Sequence, residues 1–139
     1  MTKPFELLDH TADLKIVANG KSMQEAFCNA AKGMYSYMAD IKRNKPNVKK
    51  TINVKANKLT TLLYEFLEEL LVLTDTDNLL FSHITDMKIE KKKDIIHLTC
   101  IAKGDDFRNY ETHGDIKSIT YSEMEIDEEK NRVQFVVDI

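Results

Sequence analysis

A stripe of apolar side chains at helical spacing, Met23, Ala26, Phe27, Ala30, Ala31, Met34, Tyr35 and Met38, constrains this chain more than any other feature. Positions three and four apart share one face of a helix, so the stripe must be buried against another layer. Ser22, with Glu25 three residues on, supplies a capping box at its start. A second stripe, Leu59, Leu62, Leu63, Phe66, Leu67, Leu70, Leu71 and Leu73, predicts another amphipathic helix with Glu65, Glu68 and Glu69 on its solvated side. Asp75-Thr76-Asp77-Asn78 closes that helix as a plain turn, since it lacks the glycine and distal Glu of an EF-hand loop.

Period-two alternation marks the strands that cover these helices. They are expected at Leu14–Ala18, at Ile52, Val54 and Ala56, within Ile84–Glu90, and at Ile95–Lys103, Ile116–Asp127 and Arg132–Ile139. In the first of these, Leu14, Ile16 and Ala18 face one way, and Asp13, Lys15 and Val17 the other. Lys91-Lys92-Lys93-Asp94 offers a tight turn, and Asp127 to Asn131 joins the last two strands as a hairpin. Two helices and about six strands predict an α+β fold, a mixed β-sheet packed with two main amphipathic helices, in one domain over residues 1–139. Lys42, Arg43, Lys45, Lys49 and Lys50 around Pro46 read as a solvated basic loop leading into an edge strand. Gly104 to Asp115 is the one long polar connection in the strand-rich half, the kind of segment that often carries function.

Twenty basic against twenty-three acidic residues give a net charge of −3, which argues against broad electrostatic binding to nucleic acid. No apolar run approaches the ~18–20 residues of a membrane span. The segment Met1 to Glu6 lacks the apolar stretch of a secretion signal, so a cytoplasmic location is expected. Cys28 and Cys100 form no CxxC pair and read as buried, inert thiols. No P-loop, GxGxxG, HExxH or GxSxG occurs, so nucleotide-binding and hydrolase readings have no motif to stand on.

Two polar constellations need a reason. Asp9-His10-Thr11-Ala12-Asp13 places two carboxylates and an imidazole just before a strand; turn chemistry, with Asp and Thr side chains bonding free backbone N–H groups, is the ordinary reading. At the other end, the apolar strand finishes in Asp138, beside the α-carboxylate of Ile139. Such a pair of hard oxygen donors suits a divalent cation, and a hydrated tail is the alternative.

Together these two ends resemble the archease family, in which a His-Thr-Ala-Asp segment opens the first strand and an apolar strand ends in Asp plus one aliphatic residue. Here those are His10-Thr11-Ala12-Asp13 and Val136-Val137-Asp138-Ile139. The pattern continues through Gly20, Gln24 to Phe27, Ala30-Ala31, Leu62-Leu63, Glu69 to Leu71, and Ile116-Lys117-Ser118-Ile119-Thr120-Tyr121. Phe66 and Ser122 stand where the family usually has Trp and His, and Gly104 to Lys117 is short for its loop, so no role is carried onto His113, Asp105 or Asp106.

The resemblance implies a non-catalytic activator or chaperone of the GTP-dependent tRNA-splicing RNA ligase. Such a protein promotes guanylylation of the ligase and its multiple turnover in tRNA splicing and RNA repair. It implies a metal site of Asp13, Asp138 and the terminal carboxylate of Ile139, holding Ca²⁺ or Mg²⁺, with the ligase as protein partner; the charge balance and hydropathy add the expectation of no strong direct nucleic-acid binding and no membrane. His10 and Lys117, the latter taken to share a strand face with Ile119 and Tyr121, are candidate partner-interface residues. The family's fold is a small sheet-and-helix unit inserted into another. Three other classes remain open from the residues alone: a small metal-dependent enzyme using Asp13, Asp138 and His10, a metal-stabilised interaction module, and last a direct RNA binder, for which the acidic balance predicts little binding.

Overall fold

Helix α1, Met23–Met38, forms in the computed structural model, which describes residues 3–9 and 13–139. Ser22 Oγ accepts the Glu25 backbone N–H at 3.1 Å, as the capping pattern requires. The stripe from Ala26 to Met38 is buried, with Phe27, Met34 and Tyr35 fully enclosed. Helix α2, Leu59–Asp77, buries Leu62, Leu63, Phe66, Leu67, Leu70 and Leu71. It stops where Asn78 adopts the left-handed conformation, φ 57° and ψ 45°, which the short amide side chain of Asn tolerates.

The strands form two sheets, and every pairing is antiparallel. The larger orders β1 (Phe5–Asp9), β2 (Asp13–Asn19), β8 (Arg132–Asp138) and β6 (Ser118–Ile119), and β7 (Glu125–Asp127) also pairs with β8. The smaller orders β3 (Val48–Ala56), β5 (Ile95–Asp106) and β4 (Leu79–Lys92). The unit β3-α2-β4-β5 is therefore inserted between α1 and β6 of the larger unit, the nested arrangement that the resemblance implies.

The expected α+β class holds, but the single mixed sheet of about six strands does not. Eight strands in two antiparallel sheets replace it among the described residues. Two differences account for the count. The edge strand β1 was hidden because its five residues show too little alternation to separate from a loop. The expected strand Ile116–Asp127 is broken into β6 and β7 by a turn in which Glu123 takes φ 53°, and a strand cannot continue through that conformation. The hairpin between β7 and β8 forms as expected, with Asp127 Oδ1 accepting the backbone N–H groups of Glu129 and Lys130.

The two helices bring the sheets into one core. Phe27 of α1 stacks on Phe66 of α2 with ring centroids 6.1 Å apart, and Tyr35 meets Phe81 of β4 edge-on at 5.7 Å. The buried Tyr35 hydroxyl donates to the Leu70 carbonyl at 3.1 Å and lies 2.7 Å from Thr74 Oγ1. Gly104 in β5 lets the backbone of β4 come so close that a Cβ there would run into the Leu80 carbonyl.

Candidate functional site

Sheet register decides which polar residues meet. On β2, Leu14, Ile16 and Ala18 point into the core, which leaves Asp13 and Lys15 on the outer face. On β8, Val133, Phe135 and Val137 point inward, placing Asp138 on that same outer face. Asp13 is the register partner of Asp138, and Asp138 is in turn the partner of Ser118 on β6. The two carboxylates thus lie side by side in one cross-strand row, with Cα atoms about 4.5–5.5 Å apart as such pairs are.

The row is held in place. Ser118 Oγ donates to Asp138 Oδ2 at 2.8 Å, and the Lys117 backbone N–H donates to the Asp138 carbonyl at 2.8 Å. One oxygen of Asp13, Oδ1, is shielded from solvent, whereas Asp138 is exposed. The Ile139 side chain packs against the core and so fixes the end of β8 beside this row. One row further along, Lys15 Nζ pairs with Glu123 at 3.0 Å, and Gln134 Nε2 donates to the Glu123 carbonyl at 2.8 Å. The 120–125 turn is thereby tied across the outer face next to the carboxylates.

Among the sequence candidates, then, Asp13, Asp138 and Ile139 come together. His10 lies outside the described residues. Lys117 is corrected in part: it precedes β6 and is exposed, while Ile119 is buried at 4% and Tyr121 is 53% exposed, so the three share no strand face. It is the Lys117 backbone that touches the site. Ser118 is the member that sequence reading passed over, since a lone Ser in a β pattern carries no signal until register sets it opposite Asp138.

The donor chemistry fits a hard divalent cation, because every ligand in the row is oxygen. No group of three or more His, Cys, Asp or Glu side chains able to hold a metal occurs among the described residues. The row is half-buried at Asp13 and exposed at Asp138. A cavity of 680 Å³ lies at the far end of β2 and β8, lined by Asn19, Gly20, Lys21, Glu25, Lys130 and Arg132.

Other titratable groups serve the fold. Asp105 accepts from the Tyr110 hydroxyl at 2.6 Å, which with the Asp106 N–H holds its carboxyl below the usual range. The Arg108 guanidinium, bonded to Asp106, brings that carboxyl down to about 2. Burial pushes the Cys28 thiol up and the Cys100 thiol up to about 12, so both stay protonated and inert. No helix among the described residues is long and apolar enough to cross a membrane.

Comparison with known proteins gives one consistent result. The model of the Archease protein family matches residues 5–139. The protein archease of Aeropyrum pernix is 38% identical over 135 residues, covering 94% of each chain. That of Thermococcus gammatolerans is 34% identical, covering 97% of this chain and 98% of its own. A solution structure from Methanobacterium thermoautotrophicum superposes with a TM-score of 0.84 at 30% identity, over 99% of this chain and all of the other. A Thermotoga maritima archease, described as a possible chaperone, shares the fold at TM-score 0.51 and 17% identity, over 99% of this chain and 95% of its own.

Proposed function

The chain belongs to the archease family, and from that premise we propose that it is a non-catalytic, chaperone-like accessory of the GTP-dependent tRNA-splicing RNA ligase, acting in the cytoplasm. In this reading it promotes guanylylation of the ligase and so permits multiple turnover. The observation that carries the proposal is the Asp13–Asp138 register pair at the open end of the larger sheet. Directly opposed like charges cost a sheet stability, and a divalent cation between them removes that cost.

Asp13, Asp138 and the main-chain carboxylate of Ile139 would hold the ion, Ca²⁺ or Mg²⁺, which when bound supplies positive charge and fixes the end of β8. Ser118 orients Asp138, and Lys15 with Glu123 holds the neighbouring turn. In this reading His10 and Lys117 are the residues assigned to contact with the ligase. The exposure of Asp138 in this row favours contact with a protein over turnover of a small substrate.

The test is multiple-turnover RNA joining by the cognate ligase at limiting enzyme, with the parent protein, Asp13→Ala or Asp138→Ala added. Stimulation by the parent alone is expected. Equal stimulation by both variants, with folding verified by circular dichroism, sinks the site assignment; no stimulation by the folded parent sinks the ligase reading.

A further inference from the structure

The net charge of −3 conceals a strong separation of charge. On the smaller sheet, Ile52, Leu98, Cys100 and Ala102 point into the core, so the alternate positions form its outer face. Register assembles that face row by row. Lys49, Lys103 and His83 lie across from one another, then Thr51, Ile101 and Thr85, then Asn53, Thr99 and Lys88, then Lys55, His97 and Glu90, and last Ile95 with Lys92. Five lysines and two histidines thus share one face with a single carboxylate, Glu90. Asp86 sits off these rows in a bulge with φ 54°, and Asp105 is buried at 8% exposure under Tyr110 and Asn47.

Lys49 and Lys103 are direct cross-strand partners, an arrangement that destabilises a sheet unless a counter-charge lies over it. None of the five lysines has an ion pair among the described residues. The basic loop extends the face. Asn44 Nδ2 donates to the Leu80 carbonyl and Asn47 Nδ2 to Asp105, which brings Lys45 to the same end of the sheet as Lys49 and Lys103.

We infer that the outer face of β3-β5-β4 binds the phosphate backbone of a single nucleic-acid strand. Its cations run from Lys49 to Lys55, about 20 Å of strand at ~3.3 Å per residue, which is the reach of an extended polyanion rather than of a small ligand. The composition separates nucleic acid from an acidic protein. Stable protein interfaces are built on Trp, Tyr and Arg anchors and are poor in Lys, and the rows of this face carry Lys and His without Arg, Trp, Tyr or Phe. With no Trp, Tyr or Phe in these rows to act as a stacking platform, contact is chiefly through phosphate and independent of sequence. The inference is compatible with the ligase reading, where this face would carry the strand, but it does not use the Asp13–Asp138 row.

The test omits the ligase, so each reading can fail alone. A fluorescein-labelled 12-nucleotide oligouridylate is titrated with the full chain between 50 and 200 mM salt, and with Lys88→Glu/Lys103→Glu and Lys88→Arg/Lys103→Arg variants. Five phosphate contacts to a single strand give a log–log salt slope of about −3.5, roughly a hundredfold loss of affinity over that range. Charge reversal should weaken binding at least tenfold and flatten the slope by about 1.4, and the Arg pair should retain both. Absence of binding at 50 mM salt overturns the inference, as does charge reversal without effect. Poly-glutamate of equal charge displacing the RNA at equal concentration would reassign the face to an acidic polypeptide.

Discussion

The cation proposed for the Asp13–Asp138 row makes a thermal prediction that needs no partner. A ligand that binds only the folded state at a hundred times its Kd stabilises by about 2.7 kcal/mol. For 139 residues the unfolding entropy is about 0.29 kcal/mol/K, at ~2.1 cal/mol/K per residue. Calcium at that excess should therefore raise the melting temperature by about 9 °C. Asp138→Ala removes an exposed carboxylate and its one side-chain bond from Ser118, a loss of about 1 kcal/mol, but also relieves its repulsion with Asp13, so its calcium-free melt should fall by no more than about 3 °C. The calcium response of that variant, and of Asp13→Ala, should shrink to a small fraction of the parent's. Differential scanning calorimetry with chelator, calcium and magnesium reads all these quantities at once. A parent melt unmoved by millimolar calcium, or variants that respond as fully as the parent, would refute the reasoning.

Two further outcomes concern the scaffold. Tyr35→Phe removes a fully buried hydroxyl that donates to Leu70, and should cost about 1–2 kcal/mol in urea unfolding while leaving the calcium response intact. The Cys100 thiol, pushed up to about 12 by burial, keeps its proton in the native state while an unfolded thiol loses it near ~8.5. The stability this contributes is full below the unfolded pKa and is lost as pH rises toward the native value, so unfolding midpoints should fall between about pH 8.5 and 10. Cys100→Ala should flatten that decline, and an unchanged slope would count against the assignment.

Both helices were legible because each has a full stripe at helical spacing, so local pattern and burial demand the same structure. The alternation around Leu14, Ile16 and Ala18 was equally plain, and it already set Asp13 on the outer face. The polar ends of the chain, Asp13 and Asp138, were visible as chemistry without a stated geometry. Lys117 was misread because its strand face assumed one strand from Ile116 onward, whereas β6 holds only Ser118 and Ile119 and leaves Lys117 and Tyr121 outside it.

What the sequence by itself determined about this protein was local: two amphipathic helices, most of the strands, the hairpin into β8, and a family likeness in residues at both termini. The tertiary structure alone decided what meets what. Pairing between β2 and β8 joins residues at opposite ends of the chain, and periodicity has no range beyond one element, so only register could put Asp13, Asp138 and Ser118 in one row. The basic face arose the same way. Its lysines come from β3, β4 and β5, each unremarkable as an exposed Lys, and they become a surface only when three strands lie side by side.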